Sequence, residues 1–445
     1  MIAPARAAAF AILLKVSSTD AHSDELLRSP EVDRLSAQDR ALTTTLVMGT
    51  LRWQIVLDER IRPLLARPDT KLAAAVEMSL RLGAYQLLYL DKIPAHAAIG
   101  ESVELAKQAG ERFAAGMVNA VLRKLATART PASNAPKNPA HVAAAYAHPQ
   151  WMVEGWAAAY GLDAAAAICR FDQEPASMSV RLVHPEAEAS LNSEDVELVP
   201  GEFLTAARRV VRGDVVRSRT FREGWVRIQE EGSQLVAELA GRGHRILDTC
   251  AAPGGKTAIL AERNPGAQIV AQDASRRRLE LMQQSMRDAR VEFVVQDAMA
   301  MKLRPEYDLI LCDVPCTGTG TISRNPEIRF RVNVDGIARQ HERQVKILRA
   351  ALAGLAPGGR LLYSTCSLEP EENEAVIAEC MNAATGFYRE PMENEVNRLE
   401  REEILSSSGG ESLRLHAMRE GALRTIPGVV NCDGFFAALI LRNSE

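Results

Sequence analysis

The chain lacks most of the features that mark small secreted, membrane or metal-binding proteins. Its seven cysteines include no Cys-x-x-Cys pair and stand beside no cluster of histidines, so neither a disulfide framework nor a structural zinc site is expected. Its longest early apolar run, Ala7–Leu14, stops at Lys15 and is too short for a membrane span or a signal peptide. The net charge of −4 by itself indicates no nucleic-acid partner. We therefore expect a cytoplasmic protein with reduced thiols, no membrane segment and no bound metal.

What the chain does have is enough length and apolar content for two or three domains. It contains 445 residues, of which 47% are hydrophobic and 25% charged, as in ordinary globular proteins.

The first part of the chain carries helical signals. Ser36 followed by Asp39 is typical of a helix start. We predict an all-α N-terminal domain over residues 1–128 and a linker rich in proline and alanine over 129–145. Apolar residues at helical spacing include Ile99, Val103, Ala106, Phe113, Met117, Val118, Val121, Leu122 and Leu125.

Charge is distributed unevenly along the chain. Residues 1–130 carry 17 basic and 14 acidic side chains, a net charge of +3. Residues 208–227 contain seven arginines against Asp214 and Glu223, a net charge of +5. Such a ribbon is either a solvated surface or a local phosphate-binding surface, and the sequence leaves both open. The candidate phosphate contacts are Arg208, Arg209, Arg212 and Arg217, with Arg324 outside the ribbon.

Short apolar runs alternate with helical segments from about residue 240 to the end of the chain. This alternation is typical of a parallel sheet with helices on both faces. We therefore predict a Rossmann-like α/β domain over residues 240–445, preceded by a mixed subdomain over 146–239. Four of the runs end in Asp and one ends in Cys, at the sheet edge where open α/β folds bind ligands. The predicted strands are Arg245–Asp248, Gln268–Asp273, Val291–Asp297, Tyr307–Asp313, Arg360–Cys366 and Phe435–Leu441.

A glycine loop follows the first of these strands. Small residues at this position let a ligand approach the backbone, and the N terminus of the following helix favours an anionic group. The loop lacks the G-x-G-x-x-G pattern of dinucleotide folds. It matches the end of a P-loop at Gly255-Lys256-Thr257, but a cysteine occupies the first glycine position, so an NTPase stays open as an alternative. The loop residues are Cys250, Ala251, Ala252, Pro253, Gly254, Gly255 and Lys256.

Two acidic residues favour a nucleoside ligand over a polyphosphate. Asp273 ends the second predicted strand, where a carboxylate can accept the hydroxyls of a ribose. Asp297 ends the third and can accept from an adenine amine. Either residue alone is more often a loop cap, but together they predict a binding site. S-adenosylmethionine fits this set, with its carboxylate at the loop amides, and leaves as S-adenosylhomocysteine.

Two further cysteines flank the same predicted edge. The fourth strand runs into Asp313 and Cys316, and the fifth ends at Cys366, so both thiols can face one pocket. A thiolate that adds to carbon 6 of a pyrimidine activates carbon 5 to accept a methyl group. Lys256 can assist the thiol or orient Asp313, and the second cysteine can assist release of the carbon 5 proton. The base must be single-stranded or flipped, and the residues alone do not say which thiol attacks.

These motifs together resemble the RNA 5-methylcytosine methyltransferases that carry two active-site cysteines. The resemblance covers about residues 146–445, and the N-terminal helices are similar to the antitermination-factor type of RNA-binding domain. The pairing of the two resembles the bacterial small-subunit ribosomal RNA methyltransferases. The motifs are Gln229–Gln234, Cys250–Thr257, Asp273, Asp297, Asp313–Cys316, Ser364–Ser367 and Asp433–Phe436, with Asp39-Arg40, Gly49–Arg52 and Ala115–Leu125 in the N-terminal part.

The resemblance implies a reaction and a role for each thiol. It makes Cys366 the nucleophile and Cys316 the residue that assists product release, with Asp313 and Lys256 beside them. It implies methylation of carbon 5 of a cytosine in 16S ribosomal RNA of the small subunit, with S-adenosylmethionine as the methyl donor. We expect a monomer that binds neither DNA nor membrane, with residues 393–424 as a flexible insertion. A non-catalytic RNA-binding assembly factor is the remaining alternative.

Overall fold

The structure is a computed structural model, and it describes residues 2–128, 136–286 and 290–444. Residues 129–135, the first part of the predicted linker, lie outside these ranges. The second part of that linker contains a helix, Pro139–Ala145. Its cap is Asn138, whose side chain accepts the backbone N–H of His141 at 2.9 Å. The predicted linker therefore ends in ordered structure.

Helices and strands are numbered here in chain order. The α-helices are α1 Pro4–Ser18, α2 Ser23–Leu27, α3 Pro30–Asp33, α4 Ala37–Ile61, α5 Ala74–Tyr89, α6 Ala95–Gln108, α7 Ala115–Thr127, α8 Pro139–Ala145, α9 Gln150–Tyr160, α10 Leu162–Gln173, α11 Ala187–Ser193, α12 Arg219–Arg222, α13 Glu231–Ala240, α14 Gly255–Arg263, α15 Arg276–Ser285, α16 Ile328–Arg331, α17 Val334–Gly354, α18 Glu374–Ala383, α19 Met392–Arg401 and α20 Ser407–His416. The strands are β1 Ser179–Leu182, β2 Glu197–Pro200, β3 Ala207–Arg212, β4 Val226–Ile228, β5 Arg245–Asp248, β6 Gln268–Asp273, β7 Val291–Val295, β8 Tyr307–Asp313, β9 Leu355–Thr365, β10 Phe387–Glu390, β11 Met418–Arg419, β12 Ala422–Thr425 and β13 Phe435–Arg442. The predicted strand at 291–297 thus ends two residues before Asp297.

The chain divides into two compact units, of which the first comprises Met1–Pro175 and Ile322–Arg331. This unit is helical, which confirms the predicted all-α N-terminal part. Ser36 caps α4 by accepting the backbone N–H of Asp39 at 3.1 Å, as predicted. The placement of Phe113 on the apolar helix face was wrong, because α7 begins two residues later and this side chain is fully exposed.

The first unit also takes in the segment Ile322–Arg331, far along the sequence. Glu327 accepts hydrogen bonds from the backbone N–H and the hydroxyl of Ser23, each at 2.8 Å. The buried guanidinium of Arg329 donates to the carbonyl oxygen of Arg52 at 3.1 Å and to that of Ala147 at 2.9 Å. Helices α9 and α10 belong to this unit, whereas the sequence placed them in the mixed subdomain from residue 146.

The second unit comprises Ala176–Thr321 and Val332–Glu445, and it contains two sheets. The smaller sheet is antiparallel with the order β2-β3-β1-β4. It encloses its own apolar cluster with α11, in which Val180, Leu191 and Val226 are buried. This small sheet lies immediately before α13 in the chain and supplies one wall of the cavity described below.

The larger sheet has the order β11-β12-β13-β9-β8-β5-β6-β7, and β10 pairs with β13. The strands β7, β6, β5, β8 and β9 are parallel. Successive side chains of β8 pack into different apolar cores. Leu309 and Leu311 belong to one core, and Ile310 and Cys312 belong to the other. Both faces of the sheet are therefore covered, as predicted. The strand β13 runs antiparallel to β9, a direction that apolar periodicity does not encode.

Residues 393–424 are not a flexible insertion, and that expectation was wrong. They contain all of α20 and β11 and most of α19 and β12. Val396, Leu399 and Leu413 are fully buried in the larger core. The many charged residues of the segment are explained by the outer face of α19, which is strongly amphipathic.

Candidate active site

The carboxyl edge of the larger sheet collects the predicted site residues. Because β9, β8, β5 and β6 are neighbours in the sheet, their last residues stand side by side. In that order they present Cys366, which follows β9, then Asp313, Asp248 and Asp273. The sheet order therefore brings together residues that are more than one hundred positions apart in sequence.

The two thiols predicted to share a pocket lie in contact. The Sγ atoms of Cys316 and Cys366 are 3.3 Å apart, and both side chains are partly exposed. The register of β8 with β9 places Asp313 opposite Ser364, and the Ser364 hydroxyl donates to Asp313 Oδ1 at 2.6 Å. Strand pairing thus fixes the two cysteine loops on either side of one carboxylate.

A half-buried cation completes this cluster. Lys256 Nζ lies 2.7 Å from Asp313 Oδ2 and 5.4 Å from the ring centre of Phe435. Burial by itself lowers the pKa of Lys256, but the nearby Asp313 carboxylate outweighs it, with Cys366 acting in the same direction, and the pKa rises above its usual value. The side chain is therefore a fixed positive charge beside Asp313 and within electrostatic reach of Cys366.

The cysteines differ in how their surroundings affect ionisation. A hydrogen bond with Cys366 raises the pKa of the Cys316 thiol well above its usual value, and burial and the charge of Glu372 add to the effect. Burial raises the pKa of Cys250 to about 12. Cys312 is fully buried. Neither Cys250 nor Cys312 is therefore suited to act as a nucleophile.

A cavity of about 1090 Å³ opens beside the glycine loop. Its lining includes the loop itself, residues 226–230, Asp248, Lys256 and Asp313. Two of its buried acceptors, Asp248 Oδ1 and Gln229 Oε1, receive no hydrogen bond within the described part of the chain. Because an unsatisfied buried acceptor costs free energy, these atoms indicate a ligand that carries donors.

Backbone conformation shapes the loop against this cavity. Gly254 has φ +106°, and a Cβ there would lie 2.8 Å from Met282 Cγ, so only glycine fits. Helix α14 begins at the next residue, and its first N–H groups have no partner within the helix. Thr257 in its first turn donates to Asp248 Oδ2 at 2.6 Å. Burial raises the pKa of Asp248 to about 7, although this hydrogen bond acts against the rise.

The structure places Asp273 and Asp297, the two predicted cofactor acids, away from the lining of this cavity. Asp273 accepts the backbone N–H groups of Ala252 at 3.3 Å and Ser275 at 2.8 Å. Asp297 is exposed and accepts the N–H of Met299 at 2.9 Å. Neither is among the residues that line the cavity. Asp248 and Gln229 do line it and were absent from the predicted site. The strand-end position of Asp248 was the signal that could have identified it.

Three of the seven arginines of the predicted basic ribbon form ion pairs with acids from elsewhere in the fold. The guanidinium of Arg208 binds Glu188 through two hydrogen bonds of 2.8 Å. Arg212 lies 3.4 Å from Glu197, and Arg217 lies 3.6 Å from the neighbouring Asp214. Arg209 faces Ser179 of β1 in the register of the sheet. Arg324 belongs to the segment that joins the first unit. The local charge is therefore smaller than the sequence count of +5 suggests.

Three further observations bear on the sequence expectations. The seven cysteines are free thiols, and Cys169, Cys312, Cys380 and Cys432 are buried. No group of three or more potential metal ligands forms in the part of the chain that the structure describes. Along those same residues, no helix combines the length and apolar character needed to cross a membrane.

Comparisons with known proteins agree with this arrangement. Residues 238–441 match the family described as 16S rRNA methyltransferase RsmB/F, and residues 3–127 match the NusB family. The chain is 34% identical over 441 residues to the Bacillus subtilis (strain 168) protein named "Probable ribosomal RNA small subunit methyltransferase B", with 95% of each chain covered. It is 33% identical over 425 residues to the "Ribosomal RNA small subunit methyltransferase B" of Xanthomonas campestris pv. campestris, which covers 92% of this chain and 90% of that one.

A solved structure shares the fold over nearly the whole length. The crystal structure of PH0851 superposes with a TM-score of 0.80 at 24% identity and covers 99% of both chains. Like the matches to the two sequence relatives, this match extends over the helical first unit as well as over the second unit. The chain therefore belongs to the RsmB/F family of 16S rRNA methyltransferases and carries an N-terminal domain of the NusB family.

Proposed function

We propose that the protein methylates carbon 5 of a cytosine in the 16S RNA of the small ribosomal subunit, with S-adenosylmethionine as the methyl donor. The observation that carries this proposal is the 3.3 Å contact between Cys316 Sγ and Cys366 Sγ beside the Lys256–Asp313 ion pair. Carbon 5 of a cytosine attacks a methyl group only after a nucleophile has added to carbon 6, and its proton must then be removed. Two adjacent thiols supply both groups.

The cavity beside the glycine loop suits S-adenosylmethionine, which supplies an electrophilic methyl group when bound. A volume of about 1090 Å³ is just above the usual range for small-molecule sites. Asp248 Oδ1, an acceptor without a donor among the described residues, would hold the ammonium group. The N terminus of α14 would hold the carboxylate. Asp273 and Asp297 stay the proposed partners of the ribose and the adenine.

The proposed reaction uses each charged group of the site. The Cys366 thiolate forms a bond to carbon 6, and the electrons of the carbon 5–carbon 6 double bond then capture the methyl group. The bond between that methyl group and sulfur breaks, its electrons stay on sulfur, and S-adenosylhomocysteine is left. Cys316, once its own proton has passed to solvent, takes the proton from carbon 5. The electrons of that C–H bond restore the double bond and expel the Cys366 thiolate. The positive charge of Lys256 stabilises the thiolate, and Asp313 accepts a hydrogen bond from the exocyclic amine.

The environment of the thiols supports this division of roles. The pKa of Cys316 is raised well above its usual value, first by its hydrogen bond with Cys366, so this thiol holds its proton more tightly than a free cysteine does. The charge of Cys366 acts on Lys256, so the cation and this thiol are coupled electrostatically. A thiol whose pKa is raised becomes a stronger base once ionised, which suits removal of the carbon 5 proton.

Alanine variants of the cysteines test the proposal. Cys366→Ala is expected to lose transfer of labelled methyl groups to 16S RNA. Cys316→Ala is expected to accumulate a covalent protein–RNA adduct, because addition proceeds and release does not. Cys380→Ala, which removes a buried thiol of α18, serves as the matched control and should keep full turnover. Retained turnover in Cys366→Ala would refute the assignment of the nucleophile.

The RNA target is testable in cells. Small-subunit RNA from cells that lack the protein should lose 5-methylcytosine at one position, as mapped by mass spectrometry. We propose that Arg208, Arg209, Arg212, Arg217 and Arg324 contact this RNA. Their replacement by glutamine should weaken RNA binding and reduce its salt dependence, while the affinity for S-adenosylmethionine stays constant. An unchanged pattern of 5-methylcytosine in the deficient cells would refute the proposed target.

A further inference from the structure

Three fully buried polar residues lie behind the two thiols, and the reaction described above does not use them. They are Gln344 on α17, Glu372 at the end of the short helical turn Pro370–Glu372, and Asn373 directly before α18. None of them lines the cavity. A carboxylate buried at this depth costs free energy unless donors surround it, so its contacts should indicate why it is there.

One set of contacts fixes the loop of Cys316 on both sides of the cysteine. Gln344 Nε2 donates to the carbonyl oxygen of Pro315 at 3.0 Å. The backbone N–H of Thr317 donates to Glu372 Oε1 at 3.0 Å, and its hydroxyl donates to Glu372 Oε2. The residues immediately before and after Cys316 are therefore both tied to buried side chains.

A second set fixes the loop of Cys366 in the same way. The hydroxyl of Thr365 donates to Asn373 Oδ1 at 2.6 Å, and Asn373 Nδ2 donates to the carbonyl oxygen of Ser367 at 2.9 Å. The hydroxyl of Ser367 also donates to Glu372 Oε2. Both neighbours of Cys366 are thus tied to Asn373, and Ser367 is tied to Glu372 as well.

Glu372 joins the two sets into one network. Gln344 Nε2 donates to Glu372 Oε1 at 2.9 Å, and the phenol of Tyr363 donates to the Glu372 carbonyl oxygen at 2.7 Å. Its carboxylate takes its hydrogen bonds from neutral groups, so the negative charge stays near Cys316, whose pKa it raises as a lesser contribution after Cys366 and burial. The titratable groups that act around Cys316 are Cys366, Glu372 and Tyr363.

We propose that Glu372, together with Gln344 and Asn373, is a positioning residue that holds the two thiols at their reacting separation and keeps a negative charge behind Cys316. The carboxylate touches neither cavity nor thiol, and it acts through Thr317 and Ser367. This inference deepens the proposed two-thiol reaction and rests on it for its purpose. The network itself can be tested without RNA or cofactor.

Two substitutions separate the charge from the spacing. In Glu372→Gln the amide oxygen can still accept from Thr317 N–H and Gln344, while the two hydroxyls rotate to accept from the new NH₂ group. The hydrogen bonds are kept and the charge is lost. Glu372→Ala loses both. Glu379→Gln, a carboxylate lost from the exposed side of α18, is the matched control.

Thiol chemistry of the free protein provides the readouts. In Glu372→Gln, the pH profile of Cys316 alkylation by iodoacetamide, followed by peptide mass spectrometry, should shift so that Cys316 reacts about tenfold faster at a given pH, which corresponds to about one pKa unit. In Glu372→Ala, diamide should form the Cys316–Cys366 disulfide at least about tenfold more slowly relative to alkylation of Cys316. The control should match the wild type in both assays.

The outcomes distinguish this inference from the proposed function. An unshifted Cys316 profile in folded Glu372→Gln would overturn the role of the charge, and a wild-type disulfide ratio in folded Glu372→Ala would overturn the role in spacing. If Glu372→Ala does not fold, Gln344→Ala, which removes the hydrogen bond to the carbonyl oxygen of Pro315, tests the spacing through the same disulfide ratio, and a wild-type ratio would overturn it. If wild-type protein shows the expected thiol behaviour but no transfer to RNA, the proposed function fails and the positioning network stands.

Discussion

A single methyl group added at Gly320 should misplace the nucleophilic loop. Gly320 stands four residues after Cys316 and donates its N–H to the carbonyl oxygen of Cys366 at 2.9 Å. Its own carbonyl oxygen accepts the N–H of Gly434, just before β13, at 2.8 Å. Three loops of the second unit therefore meet backbone to backbone at this residue. We expect Gly320→Ala to reduce both the stability of the protein and the rate of methyl transfer.

The size of the effect follows from the contact distances. A Cβ on Gly320 would lie 2.3 Å from the carbonyl oxygen of Gly434, whereas a carbon–oxygen contact needs about 3.3 Å. The two backbones must therefore separate by about 1 Å. Overpacking of this kind costs about 1–3 kcal/mol, and weakening of the two hydrogen bonds adds about 1 kcal/mol. A displacement of about 1 Å at a reacting group can lower kcat about a hundredfold.

Two assays measure these effects. Thermal unfolding followed by circular dichroism should show Tm lowered by about 1–2 °C for each kcal/mol lost, and single-turnover transfer to 16S RNA should show the fall in rate. Gly266→Ala is the matched control, because nothing lies within 4 Å of a Cβ at that position. A Gly320→Ala protein with wild-type Tm and wild-type turnover would refute the argument that backbone contact at this residue sets the position of Cys366.

Three further results are expected. Burial raises the pKa of Asp248 to about 7, so its carboxylate becomes protonated below that pH. In calorimetric titration, affinity for S-adenosylmethionine should therefore fall by up to about tenfold per pH unit below pH 7. Asp248→Asn should abolish this pH dependence. Lys256→Met should lower kcat about 10²–10³-fold in single-turnover assays, since it leaves the thiolate and Asp313 without a cation. In urea unfolding, Trp156→Ala should cost about 3–5 kcal/mol because this side chain is fully buried, whereas Phe113→Ser, at a fully exposed position, should change stability by about 0.5 kcal/mol or less.

Local patterns in the sequence were sufficient to locate the elements that carry the site. The predicted strands 245–248, 268–273 and 307–313 agree with the structure at both ends. Their detection depends on apolar runs bounded by turn residues, which are properties of neighbouring positions. The same is true of Ser36, whose capping of α4 needs only a partner three residues away. The prediction for Phe113 was wrong because helix α7 begins only at Ala115. Helix ends are the least certain part of such patterns.

Charge could not be judged from the sequence, because charge balance depends on contacts across the fold. The acids counted against the arginines of 208–227 were those within the same segment. In the structure Arg208 is paired with Glu188, Arg212 with Glu197, and Arg227 with Glu262. Strand pairing in the smaller sheet and the packing around it bring these acids close, and no local count includes them.

The chain by itself determined the chemistry available to this protein: a small-residue loop after a strand, a lysine, and acids and thiols at successive strand ends. Those features are local, so they can be recognised in the sequence alone. Only the tertiary structure decided which of them act together. Pairing of β8 with β9 brings Cys316 into contact with Cys366, and Glu372 ties both loops together although it lies in neither motif. The physical reason is that hydrogen bonds and ion pairs act over a few ångströms in space, and only the folded chain sets those distances.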